Sequence, residues 1–184
     1  MLSQVDKYNK SNEVYVTIQV SHPYLVHSSN LTLIYQFGHN DQKSTSGVSL
    51  AQYSTNLANF AAEVKAHGGT PILVTPLTRR TFSGNKVVEN LADQRNVTIH
   101  VATSTKTRYI DLNKASTDYV NVIGSKAASV YNLTPKDYTH LNEWGGVVFG
   151  RLVNDLLVAK YNEIAQWTTP NATMSHELSA GIPA

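Results

Sequence analysis

The sequence contains no cysteine among its 184 residues, which excludes disulfide bonds, zinc–thiolate sites and thiol catalysis. Charge is also scarce, because charged residues make up 15% of the chain and the formal net charge is +2. The basic residues are scattered, and only Arg79 and Arg80 are adjacent. We therefore expect no nucleic-acid partner and no basic surface that would bind a membrane.

Long apolar runs are missing as well, since none approaches the roughly 20 residues that a membrane-spanning helix needs. The first twenty residues lack the apolar segment and small-residue cleavage site of a signal peptide. Hydrophobic residues nevertheless make up 41% of the chain, enough for one globular domain with a core. A slight excess of Asn-x-Ser/Thr sequons hints at secretion; they begin at Asn9, Asn30, Asn96, Asn132 and Asn171.

Short apolar segments alternate with helical patterns along the chain. Residues 31–37, 71–76 and 108–112 are predicted as strands, and helices are expected after Ser49, over residues 114–130 and after Asn142. Asn113 can cap the second of these helices, which should break near Gly124. Residues 88–105 fit either a strand or a helix, and a helix would complete the alternation. The tail from Thr168 is expected to be flexible.

Such an alternation predicts a doubly wound α/β fold with a parallel sheet. In these sheets ligands bind beyond the carboxyl ends of the strands. The loops after Phe37, Thr75 and Leu112, and the turn before the last helix, are therefore where functional residues are expected.

The loop after Phe37 contains Gly38, His39, Asn40 and Asp41. Gly38 permits a sharp turn directly after the strand, and the amide NH₂ of Asn40 could then donate to an oxyanion. The alternative is that Gly, Asn and Asp simply form a turn here.

Asp137 and His140 lie just before the last helix. Three residues apart in a turn, the carboxylate can bond one imidazole nitrogen and leave the other as a base. The alternative is that both are unrelated surface residues.

Taken together, FGHND (residues 37–41) and DYTHLNEWG (residues 137–145) resemble two sequence blocks of the SGNH, or GDSL-type, hydrolases. PLTRRTF (residues 76–82) and YIDLN (residues 109–113) are similar to the rhamnogalacturonan acetylesterase branch of that family. The resemblance covers residues 37–158. It implies a flavodoxin-like three-layer α/β/α fold and a serine esterase without metal or cofactor.

By this resemblance Asp137 and His140 are the catalytic acid and base, and Asn40 and Gly38 belong to the oxyanion site. The implied substrate is an acetylated pectic polysaccharide, cleaved by a secreted enzyme that we expect to be monomeric. Arg79 and Arg80 could meet an acidic sugar, although a solvated pair is the simpler interpretation. A metal bound by His39, Asp41, Asp137 and His140 is a further alternative, but the spacing fits no known motif. The other histidines show no partner pattern and are expected to be structural or exposed: His22, His27, His67, His100 and His176.

The family's nucleophile block, G-D-S, is absent from this sequence, as is a G-x-S-x-G elbow. We interpret the chain as an N-terminally truncated hydrolase that lacks the first strand and helix. Residues 1–30 would be an irregular remnant, 31–167 the truncated domain and 168–184 a flexible tail.

Two strand-like segments, VYVTIQ and LTLIYQ, precede the one FGHND turn. Deleting residues 20–36 would join the first segment directly to the turn, and the codons at its ends are compatible with a short fungal intron. A displaced or unpaired first segment is expected if both are present. Two function classes remain, an esterase active only in its full-length form and a pectin-binding relic without catalysis.

Overall fold

The computed structural model describes the backbone of residues 14–18 and 31–35 and all of the chain from residue 36 to 184. These residues divide into two compact units, Met1–Pro76 with Leu91–Tyr109, and Leu77–Asn90 with Ile110–Ala184. The strands are β1 (Val14–Ile18), β2 (Leu31–Gln36), β3 (Thr70–Val74), β4 (Phe82–Ser83), β5 (Lys86–Val87) and β6 (Arg108–Ile110). The helices are α1 (Leu50–Ala66), α2 (Ala92–Ser104), α3 (Leu112–Ala128), α4 (Glu143–Lys160) and α5 (Ala172–Ala180).

A parallel sheet organises the first unit. β1 pairs in parallel with β2, and β2 pairs in parallel with β3, in the strand order β1-β2-β3-β6. The predicted α/β class with a parallel sheet is therefore confirmed. β2, the segment LTLIYQ, is followed by Phe37 and then Gly38. The segment VYVTIQ supplies the edge strand β1, which is the displaced position expected from the sequence. The rest of the predicted remnant, residues 1–13 and 19–30, and the serines in it, lie outside the described residues.

The core of the first unit lies between α1, α2 and β3. It consists of buried side chains from these three elements: Tyr53, Leu57, Val64, Leu73, Val101 and Ala102. Burying a side chain the size of leucine stabilises a fold by about 1.5–3 kcal/mol. Residues 88–105, ambiguous in the sequence, contain the helix α2, which completes the alternation.

Helix ends follow local capping rules in most places. The Ser49 hydroxyl accepts a hydrogen bond from the N–H of Gln52, and the Asn142 side chain accepts one from Gly145, as predicted. α3 differs, because its cap is Asp111, whose carboxylate accepts from the N–H of Lys114, whereas Asn113 is buried inside the helix. The expected break at Gly124 is present, where φ is 77°.

The second unit packs α3, α4 and α5 around aromatic side chains. The rings of Tyr131 and Phe149 meet edge to face at 5.5 Å, and the Tyr119 and Tyr131 hydroxyls are 2.9 Å apart. The tail predicted to be flexible instead contains α5, whose Met174 and Leu178 are buried. Met174 and Leu178 are four residues apart and therefore lie on one face of the helix. The prediction of a flexible tail was based on composition and did not consider this spacing. Among the described helices, none combines the length and apolar character required to cross a lipid bilayer.

Candidate active site

The first candidate loop, residues 38–46, makes a tight turn directly after β2 and Phe37. Gly38 has φ of +123°, and a Cβ atom there would lie 3.1 Å from the Pro76 side chain and 3.2 Å from that of Gln94. Both the backbone angle and the space therefore require glycine. The N–H of Gly38 donates to Oδ2 of Asp41 at 3.0 Å, and the Gly38 carbonyl accepts from the N–H of Gln42.

Asn40 is exposed at the tip of this loop. Its Oδ1 accepts a hydrogen bond from Lys43 Nζ at 2.9 Å, and no group in the described part of the chain accepts from its Nδ2. The NH₂ end, which an oxyanion would need, is thus the end without an acceptor among the described residues. Because the Gly38 N–H is engaged by Asp41, the predicted oxyanion role of Gly38 would require that bond to open.

The second candidate turn, residues 137–140, brings Asp137 and His140 together as predicted. Asp137 Oδ2 lies 2.8 Å from His140 Nδ1, and Oδ1 accepts from the N–H groups of Thr139 and His140 at 3.0 and 2.9 Å. These bonds lower the pKa of Asp137 from 3.8 to about 2, and the bonds from the backbone and ring of His140 contribute most. Asp137 is therefore an anion at neutral pH.

This geometry determines which nitrogen of His140 can act as a base. An ionised carboxylate at hydrogen-bond distance places the imidazole proton on Nδ1, which leaves the Nε2 lone pair free. The His140 side chain is 68% exposed, whereas that of Asp137 is 25% exposed. The pair can therefore accept a proton from a solvent-side group while Asp137 stabilises the imidazolium.

Arg80 is buried, which corrects the expectation that Arg79 and Arg80 form a solvated pair. Arg80 is 2% exposed. Burial lowers its pKa to about 10, so the guanidinium remains a cation at neutral pH. Nε donates to Asn132 Oδ1 at 2.6 Å, and Nη2 donates to the carbonyl oxygen of His140 at 2.7 Å. The Arg80 N–H also donates to the carbonyl oxygen of Tyr138.

Arg79 is half-buried, and its side chain contacts the same turn. Its Nε donates to the Thr139 hydroxyl at 3.1 Å, and Nη1 donates to Asn90 Oδ1 at 3.2 Å. Burial lowers the pKa of Arg79. Neither arginine is the freely solvated side chain that the sequence suggested.

Asn132 is the residue that the sequence analysis missed, because the sequence presents it only as part of a sequon. It is 5% exposed, and its side chain accepts from Arg80. The neighbouring N–H of Leu133 donates to the His140 carbonyl oxygen at 3.0 Å, and Asn132 and Leu141 form an antiparallel bridge. No local signal in the sequence links positions 80, 132 and 140.

The structure thus brings Asp137 to His140 and Gly38 to Asp41, within different compact units. The described residues include no group of three or more His, Asp or Glu side chains that could hold a metal ion. The metal alternative for His39, Asp41, Asp137 and His140 therefore gains no support.

No family model matches the sequence, and no curated protein matches it either. Solved structures do match. The fold is shared with solved structures of a lipase/acylhydrolase and an acetyl-xylooligosaccharide esterase. A Bacillus subtilis protein, YxiM, superimposes with a TM-score of 0.65 at 27% identity, covering 71% of this chain and 37% of YxiM.

Two further solved structures have the same fold. A lipase/acylhydrolase from Enterococcus faecalis has a TM-score of 0.51 and 22% identity, covering 78% of this chain and 65% of its own. A variant of Axe2, an acetyl-xylooligosaccharide esterase from Geobacillus, has a TM-score of 0.52 and 16% identity, covering 69% and 58%. The chain spans about a third of YxiM and less than two thirds of the other two.

Proposed function

We propose that this chain carries the acid–base part of a carbohydrate O-acetyl esterase. The observation that carries the proposal is the contact of 2.8 Å between Asp137 and His140 in the turn that precedes α4, in a chain with an SGNH hydrolase fold. The sugar esterase activity of Axe2 supports an acetylated polysaccharide as the substrate class.

The proposed reaction is acyl transfer in two steps. His140 Nε2 takes the proton of a serine hydroxyl as the serine oxygen bonds to the ester carbonyl carbon, and Asn40 Nδ2 donates to the resulting oxyanion. The tetrahedral intermediate expels the sugar oxygen, which receives the proton from His140. Water then attacks the acetyl-serine by the same route, releasing acetate and restoring the serine.

The serine itself is the part that this sequence does not supply in a recognisable motif. Asp137 and His140 without their nucleophile retain only a small part of such an enzyme's rate enhancement. We therefore propose that the chain as printed releases little acetate. This absence also favours the second candidate function, a non-catalytic protein that binds acetylated pectin.

The finer substrate proposal is rhamnogalacturonan, and it rests on the similarity of residues 76–82 and 109–113 to that branch of the family. Recognition of its acidic sugars would not involve Arg80, whose side chain is buried and bonded within the protein. A secreted, monomeric enzyme remains part of this proposal.

The first test is to sequence the transcript across codons 1–40 and upstream of Met1. A G-D-S codon set upstream, with or without residues 20–36, supports the esterase, and the longer protein should then release acetate from acetylated rhamnogalacturonan. Its His140→Ala variant should lose that activity, while His176→Ala, an exposed histidine of the same unit, should retain it.

The contrary results are equally clear. Acetate release that survives His140→Ala would overturn the assigned base. A transcript that begins at Met1, together with retention of the chain on acetylated pectin beads, would support the binding function instead.

A further inference from the structure

Arg79 and Arg80 contact three consecutive residues of the 137–140 turn. The Arg80 N–H binds the Tyr138 carbonyl oxygen, Arg79 Nε binds the Thr139 hydroxyl, and Arg80 Nη2 binds the His140 carbonyl oxygen. Neither side chain is bonded to the Asp137 carboxylate or the His140 ring in these contacts. The two arginines thus hold the backbone and one side chain of the turn and leave the reactive ring atoms open.

Arg80 also joins this turn to the segment that precedes it. Its Nε binds Asn132 Oδ1 at 2.6 Å while Nη2 binds the His140 carbonyl oxygen, so one planar guanidinium spans both sides of the Asn132–Leu141 bridge. A guanidinium presents its donors in a rigid fork, whereas a lysine ammonium cannot reproduce that geometry. The arrangement therefore depends on arginine and not only on positive charge.

Burying this cation is costly, and its acceptors are neutral. Desolvation opposes the charged form of Arg80, and Nη1 has no partner among the described residues. The nearby Asp137 carboxylate partly offsets that cost, since its charge favours protonated Arg80. Arg80 is thus a buried cation next to the candidate acid and base, and an apolar side chain could fill the same space without this desolvation cost.

We propose that Arg80, assisted by Arg79, is a positioning residue that keeps Asp137 bonded to His140 Nδ1 and so keeps Nε2 available as the base. This deepens the proposed function, since its value to catalysis rests on Asp137 and His140 acting as acid and base. The arginines themselves touch no reacting atom in this role.

The test reads the tautomer of His140 directly in the chain as printed. The ¹⁵N resonances of the His140 ring are recorded at a pH where the imidazole is neutral. The wild type should show the Nδ1–H form, and Asp137→Asn defines the signal when the carboxylate is lost. Arg80→Lys should move the His140 resonances most of the way to that reference, with the Nε2–H form becoming the major species.

Arg151→Lys is the matched control, because Arg151 is also largely buried, lies in the same unit and makes bonds of similar length to Asp155 and Thr169. It should leave the His140 tautomer at its wild-type value even if the melting temperature falls. If Arg80→Lys lowers the melting temperature but keeps the wild-type His140 signal, Arg80 has a purely structural role and the proposal is overturned.

Asn132→Ala decides the matter if Arg80→Lys does not fold. That variant removes the acceptor of Arg80 Nε and leaves Asp137 and His140 unchanged, and a smaller shift in the same direction supports the proposal. An unchanged His140 signal overturns it. The measurement involves no ester, so a failure of the esterase proposal would be seen separately, in acetate release by the longer protein.

Discussion

The 38–46 turn contains several bonds between its own residues, whereas the 137–140 turn combines such bonds with others from residues distant in sequence. In the first, Gly38 binds Asp41, Lys43 binds Asn40, and Ser46 binds the Asp41 carbonyl oxygen. In the second, Arg80 reaches Asn132 across 52 positions and His140 across 60.

The bonded side chains of the first turn are exposed, whereas those that support the second turn from a distance are buried. Asn40 and Lys43 are exposed, so water can replace their bond at little cost. Arg80 and Asn132 are buried, and water cannot easily replace theirs. The comparison shows that the Asn40 turn includes bonds that water could replace, whereas the Asp137–His140 turn also receives bonds from buried side chains.

The largest effect is expected for Arg80→Ala. The His140 carbonyl oxygen and Asn132 Oδ1 would lose charged donors, at about 1–3 kcal/mol each, so the free energy of unfolding should fall by about 2–6 kcal/mol. Both tryptophans, Trp144 and Trp167, lie in the second unit, so urea unfolding followed by tryptophan fluorescence reports this loss. If the loss of free energy is no greater than that caused by Lys43→Ala in the first unit, the buried bonds of Arg80 do not support the second turn more than the exposed bond supports the first.

Gly38→Ala should have the next largest effect, because it combines a positive φ with close contacts to Pro76 and Gln94. We expect a loss of about 1–3 kcal/mol, read from amide hydrogen exchange in α1. Gly47→Ala separates the two causes, since its φ is also positive, +68°, but a Cβ there meets nothing within 4 Å. Equal losses for the two variants would show that packing against Pro76 contributes nothing.

Acid should weaken the second turn through Asp137. Its pKa is about 2 in the folded protein and 3.8 ordinarily, so its ionised form contributes stability above pH 3.8 that is lost as pH falls through 2. The stability of the second unit should therefore rise between pH 2 and pH 4. This rise should be shallower in Asp137→Asn and in His140→Ala. Urea midpoints followed by tryptophan fluorescence over this range would show no such difference if the Asp137–His140 contact were absent in solution.

Lys43→Ala should have the smallest effect. The bond from Lys43 to Asn40 is exposed, and such substitutions typically change stability by less than about 0.5 kcal/mol. In a nucleophile-containing form of the protein, it should also leave acetate release close to wild type, unlike Asn40→Ala, which removes the proposed oxyanion donor. Loss of activity in both variants would indicate that Lys43 itself takes part.

Much of the fold follows from features that act over a few residues. The caps at Ser49 and Asn142, the break at Gly124 and the Asp137–His140 pair each depend on groups one to four positions apart, and all were predictable. The cap of α3 was displaced from Asn113 to Asp111, because tertiary packing buries Asn113. The composition of the tail likewise predicted a flexible segment and not α5, whose apolar residues are buried in the folded protein.

The sequence by itself determined the alternation of strands and helices, the parallel sheet and the residues that make up the two polar turns, because periodicity and turn chemistry are local properties of the chain. Only the tertiary structure decided that Arg80 lies inside the protein, that Asn132 accepts from it, and that Arg80 donates to the His140 carbonyl oxygen. The physical reason is that burial of a charge is decided by which distant acceptors surround it, and those acceptors are brought together only when the chain folds.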